Sequence, residues 1–182
     1  MSKFTNSDLI LDQELVDFEI LFCNLEGRAE GYNDKGDRNF RVKFNDDEFA
    51  KALAADGWNI KISTPKNDKY DPYYYLDVKS KFRVDSPRVK RDPEIHMLTP
   101  KNDILLKENN VGDLDAKFRA HEVVSCNLVL NPYPWVNPNF ANGEGITAYL
   151  KEMWADVKVS PFAERYANRN SKFDDDLEVP FD

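Results

Sequence analysis

Two histidines, two cysteines and seven glycines in 182 residues leave little material for several common chemistries. His96, His121, Cys23 and Cys126 include no pair at metal-ligand spacing, so no zinc site is expected. The chain lacks GxxxxGK[ST], GxGxxG and GxSxG, which excludes the usual phosphate-cradling loops and the nucleophile elbow. No apolar run approaches the ~18 residues of a membrane-spanning helix, and mean hydropathy is −0.66. Met1 to Asn6 carries no apolar stretch behind a basic end, so no secretory signal is read there. A soluble intracellular domain is expected, with Cys23 and Cys126 as reduced core residues rather than a disulfide. Carboxylates are plentiful but form no compact pair. A magnesium-dependent nuclease is the one enzyme class that composition leaves open, and no catalytic residue, metal ligand or cofactor is predicted.

What is present is charge, unevenly spread. The formal net charge is −8, from 25 Lys and Arg against 33 Asp and Glu. Residues 1–58 carry 7 basic and 13 acidic groups, and residues 108–182 carry the same numbers. Residues 59–107 carry 11 basic and 7 acidic groups, so the middle of an acidic chain is positive. Association follows local potential rather than the sum, and a basic face can bind phosphate on such a chain.

Hydrophobic periodicity predicts mostly strands. Asp17 to Leu25 alternates with Phe18, Ile20 and Phe22 on one side, and Arg38 to Asn45 sets Phe40, Val42 and Phe44 against Asn39, Arg41 and Lys43. Asn45 or Asp46 can cap a helix over Asp47 to Asp56 that stops at Gly57. Trp58 to Thr64, Tyr73 to Arg83, Glu94 to Leu98, His121 to Leu130 and Gly145 to Val159 read as further strands. Val111 to Phe118 reads as a helical turn, and Pro161 at a first helical position suggests a short helix to about Asn168. The expected fold is mainly β: an OB-fold-like Greek-key barrel with one or two short helices and long loops. An SH3-like barrel or a sandwich fits the same periodicity. The domain is placed at residues 15–169, between an arm at 1–14 and a flexible acidic tail at 170–182.

The period of two commits a face. If Phe40/Val42/Phe44, Trp58/Ile60/Ile62 and Leu76/Val78/Phe82 fill the interior, the opposite face carries Arg41, Lys43, Lys61, Tyr73, Tyr75, Lys79 and Lys81, with Asp77 the single acid. Cations that track a backbone and flat rings on which bases stack are what a sequence-tolerant single-strand binder needs. Arg83, Arg88 and Lys90 flank this face, the last two in a basic loop between Pro87 and Pro93. The same pattern also suits an exposed sheet face kept soluble by Lys and Arg. Between the last two strands, residues 131–144 form a loop rich in proline and aromatics (Tyr133, Trp135, Phe140), which suits either a flap over a ligand or a lid on the core.

The terminus is unusual for a solubilising tail. Asp174, Asp175, Asp176 and Glu178 surround Leu177, Val179, Pro180 and Phe181, a pattern suited to docking in basic-rimmed apolar pockets.

These features together resemble phage-encoded single-stranded DNA-binding proteins with an OB-fold. The Asp174-Asp175-Asp176-Leu177 run with Pro180-Phe181 is similar to the acidic terminus of bacterial single-stranded DNA-binding proteins, which recruits replication and repair enzymes and competes with DNA. Here Glu178 and Val179 intervene and Asp182 follows Phe181. Arg38-Asn39-Phe40, Asp56-Gly57-Trp58-Asn59, Tyr73 to Phe82 and Gly145 to Lys151 resemble proteins of tailed-phage replication modules. The resemblance implies a non-catalytic protein that coats single-stranded DNA in phage replication or recombination, in the cytoplasm of the bacterial host. It also implies that protein partners are met through the tail. The alternative from another class is a phage interaction protein whose acidic surfaces mimic DNA.

Overall fold

In the computed structural model, residues 7–67, 69–137, 143–160 and 162 are described. Alternation translates directly into burial where strands pair on both sides. In β3 (Asn39–Phe44), Phe40, Val42 and Phe44 are buried and Asn39, Arg41 and Lys43 are not. In β5 (Tyr73–Lys79), Leu76 and Val78 are buried while Asp77 and Lys79 are exposed. Nine strands and two helices are seen among the described residues, so the chain is mainly β. The others are β1 (Leu9–Leu11), β2 (Phe18–Asn24), β4 (Lys61–Ser63), β6 (Glu94–Leu98), β7 (Asp103–Leu106), β8 (Val123–Val136) and β9 (Glu144–Val157).

Helix α1 (Asp47–Ala55) follows its capping signals. Asp46 accepts a hydrogen bond from the Phe49 amide at 3.1 Å, and Gly57 takes a φ of 100° just beyond the end. Ala50 and Leu53 form its buried side. Helix α2 (Gly112–Arg119) buries Leu114 together with Asp115. Asp115 accepts from the Leu25 amide at 3.3 Å and lies 3.2 Å from Arg28 Nη2, tying the helix to the chain after β2. Arg38 is buried for a comparable reason. It donates to Asp85 at 2.8 Å and to the Leu25 carbonyl at 2.8 Å, holding together the bases of two loops.

The sheet runs β1-β8-β9-β5-β3-β2, with β4 paired to β5 and the β6–β7 hairpin joined to β9. It is mixed. β9 runs antiparallel to β8 on one side and parallel to β5 and then β6 on the other. The ladder is not closed into a barrel, because its end strands β1 and β2 do not pair with each other. Strands β2 and β8 are nevertheless bridged by one side chain. Gln13 donates from Nε2 to the Phe18 carbonyl (3.1 Å) and accepts from the Cys126 amide (2.8 Å), spanning β2 and β8. In a flat sheet β8 and β2, four strand spacings apart in this order, would be separated by about 19 Å. A single glutamine reaching both β2 and β8 therefore requires strong curl.

Several boundaries differ from the periodicity reading. Leu9 to Leu11, within the segment read as an arm, pairs with Leu128 to Leu130. Strand β7 carries no clear alternation in sequence and owes its form to pairing with β6. Residues 131–136 are strand, not loop: β8 continues to Val136 opposite Glu144 of β9 despite Pro132 and Pro134. Ile62, assigned to the interior, is 55% exposed, because β4 is a three-residue edge strand paired with β5. Trp58 is buried before β4 begins, in a bridge beside Ile146. Phe22 is 71% exposed at a register shift in β2, where its φ of 53° marks a bulge that turns the ring outward. Cys23 and Cys126 are both free thiols; Cys126 is buried and Cys23 partly so. Burial pushes both thiols up from their ordinary range, which suits inert core residues.

Candidate nucleic-acid interface

Cross-strand register assembles the polar face. Arg41 of β3 stands opposite Asp77 of β5, Lys43 opposite Tyr75, and Lys61 of β4 opposite Tyr75 from the other side. Lys79 at the end of β5 stands beside Tyr149 of β9. Arg41, Lys43, Lys61, Tyr73, Tyr75 and Lys79 are thus brought onto one surface, with Asp77 among them and Glu19 of β2 opposite Lys43. Arg41, Lys61 and Lys79 line a groove enclosing about 1970 Å³, well beyond the ~300–1,000 Å³ of a small-molecule pocket. The groove is lined by six Lys or Arg side chains and three carboxylates, Glu19, Glu30 and Asp77. An acidic chain therefore carries a positive groove.

The cations and rings of this face are in contact. The Arg41 guanidinium lies 3.7 Å from the Tyr75 ring centre and 5.2 Å from that of Phe22, and donates to the Tyr73 hydroxyl at 3.3 Å. Lys43 Nζ is 5.3 Å from the Tyr73 ring, and Tyr73 and Tyr75 are tilted rings with centres 5.8 Å apart. Lys79 Nζ is 5.9 Å from the Tyr149 ring, and Tyr149 meets Tyr133 at 5.6 Å. Trp135, on the same side of β8 as Tyr133, lies over Gly145, where an added Cβ would come within 2.7 Å of the ring. A glycine opposite an aromatic lets the ring lie against bare backbone.

The flanking cations divide. Lys81 lies past the end of β5 in an ion pair with Asp37 at 3.4 Å, and Arg88 lines the groove near Lys79. Burial first, then the charges of Lys81 and Arg88, hold the Lys79 amine below its usual range. Arg83 faces a separate depression with Asp92, Lys107 and Glu108, and Lys90 is exposed without lining the groove. The tail residues Asp174, Asp175, Asp176, Leu177, Val179, Pro180 and Phe181, and Phe140, lie outside the described residues. Among the described residues no group of three His, Cys, Asp or Glu is placed to hold a metal ion. No described helix is long and apolar enough to cross a membrane.

A curled sheet whose open face alternates rings with cations is a surface for unpaired bases and their phosphates. Residues 4–180 match the family described as "Putative phage ssDNA-binding domain". The chain belongs to this family. Its partner is accordingly single-stranded DNA and its setting a phage. No curated protein matches the sequence significantly.

Within this phage family member, the groove adds residues that periodicity did not single out. Tyr149 reads as an ordinary strand tyrosine until its register with Lys79 is known. Tyr133 joins it because β8 continues past Leu130. Phe22 enters through the bulge, for which the sequence carries no signal. Tyr32, fully exposed on the β2–β3 loop, also lines the groove; Gly31 and Gly36 on either side of it were the only hint. Arg28 and Arg119 line the groove end near α2, each beside Glu26 and Arg28 also beside Asp115.

Proposed function

We propose that the protein coats single-stranded DNA without strong sequence preference during phage replication or recombination, and does so without catalysis. The observation that carries this reading is the groove in which Arg41, Lys61 and Lys79 are lined up with Tyr149 and Tyr133 across neighbouring strands, with Tyr75 stacked against Arg41 at its margin. Rings stack on any base and cations meet any phosphate, so such a surface is tolerant of sequence. None of these groups needs a cofactor.

The strand crosses the sheet from the β8–β9 hairpin towards β2, the direction in which rings and cations follow one another. The acidic tail acts in two ways. Five carboxylates between Asp174 and Asp182 compete for the groove when DNA is absent, and Leu177, Val179 and Phe181 dock on replication or recombination proteins when DNA displaces them. The protein works in the cytoplasm of the bacterial host.

The test is a titration of oligo-dT and of duplex DNA of equal length across salt concentrations. Oligo-dT should bind far more tightly, with quenching of tryptophan or tyrosine fluorescence and a linear loss of log affinity with log salt. Equal affinity for the two would overturn the reading.

A further inference from the structure

The groove's cations are not bare. Arg41 Nε lies 3.1 Å from Asp77 Oδ1, and Lys61 Nζ lies 3.4 Å from Asp77 Oδ2, so one carboxylate is shared between two cations from two strands. Single ion pairs stand at the margins, with Glu19 at 3.5 Å from Lys43 and Asp37 at 3.4 Å from Lys81. Lys79 and Arg88 have no carboxylate within ion-pair distance among the described residues. Asp77 stands in the middle of β5, its side chain about half exposed, on the floor between the Tyr73–Tyr75 pair and Tyr149.

We infer that Asp77 is an internal stand-in for a DNA phosphate, a carboxylate that holds Arg41 and Lys61 in their binding positions and opposes the strand that must share them. This rests on the proposed role of the groove in binding single-stranded DNA. The physical case is geometric. Two oxygens of one anion accept from a guanidinium and an ammonium, the arrangement that two phosphate oxygens would make at the same place. Both pairs are partly exposed, so they add little to folding. Their consequence falls on binding: a phosphate arriving at Arg41 and Lys61 meets one negative charge already there. Arg41 is meanwhile kept against the Tyr75 ring, so the guanidinium needs no reordering when DNA arrives.

Asp77→Asn keeps an oxygen that can accept from Arg41 and removes the charge. One net positive charge more in the groove corresponds to about one further phosphate neutralised, which steepens the slope of log affinity against log salt by about 0.7 for a single strand. Affinity for oligo-dT should then rise roughly 5-fold at 0.1 M monovalent salt and less than about 2-fold at 0.5 M. Asp77→Asn combined with Lys61→Ala should return both affinity and slope to near the wild-type values. Thermal unfolding of each variant, measured alongside, should stay close to wild type. Unchanged or weaker binding by a folded Asp77→Asn variant would overturn the assignment and make Asp77 a scaffold for Arg41. Wild-type protein that fails to bind oligo-dT at all would sink the proposed function along with it.

Discussion

Removing the Tyr149 ring should cost more DNA affinity than removing the Tyr75 ring, although both rings lie on the polar face. The reason is occupancy. One face of Tyr75 is covered by the Arg41 guanidinium at 3.7 Å, itself tethered to Asp77 and to the Tyr73 hydroxyl. Tyr149 meets Tyr133 at a tilt, with centres 5.6 Å apart and an interplanar angle of 59°, and Lys79 stands off at 5.9 Å, so its ring is the more open to a base. A stacked base contributes about 1–3 kcal/mol, so Tyr149→Ala should weaken oligo-dT binding by about 5- to 150-fold. Tyr75→Ala should act mainly by freeing Arg41, with an effect under about 5-fold. The assay is fluorescence anisotropy of a labelled oligo-dT at 0.1 M salt, repeated at four salt concentrations. Neither variant should alter the salt slope, because stacking releases few counterions. The reasoning fails if Tyr75→Ala is the more damaging, or if Tyr149→Ala leaves affinity intact.

Three further outcomes follow from particular contacts. Asp115→Ala leaves the Leu25 amide and part of the Arg28 charge unsatisfied in the interior, a loss of about 3 kcal/mol, which should lower the melting temperature by about 6–12 °C; a shift under about 2 °C would show that Asp115 does not hold α2. Lys79, held below its usual range by burial and by Lys81 and Arg88, gives up its proton more readily folded than unfolded, so stability gains a little as pH rises from the folded value towards the ordinary 10.5. A bound phosphate reverses that, so affinity for oligo-dT should fall as pH rises through this window and Lys79→Arg should flatten the fall; an identical profile in the variant would refute it. Truncation after Phe173 removes five carboxylates and should tighten DNA binding at low salt, with the gain fading as salt rises, whereas unchanged affinity at low salt would leave the tail without a competing role.

Much of the candidate site is legible in the sequence. A strand's side chains alternate, so Phe40, Val42, Leu76 and Val78 going inward forces Arg41, Lys43, Asp77 and Lys79 outward wherever the chain lies. Helix α1 was equally legible because its cap, its acidic first turn and its terminal glycine are local signals. The mainly-β class follows from the number of such alternating runs. Ile62 went wrong for the reciprocal reason, since alternation says nothing about whether a strand has a neighbour on each face.

The tertiary structure decided everything that depends on which strand lies beside which. Asp77 reads as a lone acid in a basic run; only the register of β3 and β4 against β5 makes it the shared partner of Arg41 and Lys61. Tyr149 and Tyr133 become a ring pair beside Lys79 only because β9 runs parallel to β5 and antiparallel to β8. The exposure of Phe22 follows from a bulge in β2, and a bulge is set by the pairing of two strands rather than by the residues of one. Sequence by itself determined which faces could be polar and which charges were available, because those are properties of a residue and its immediate neighbours. Non-local pairing determined which of those groups meet, and with it the curl bridged by Gln13 that turns one face of an open sheet into a groove.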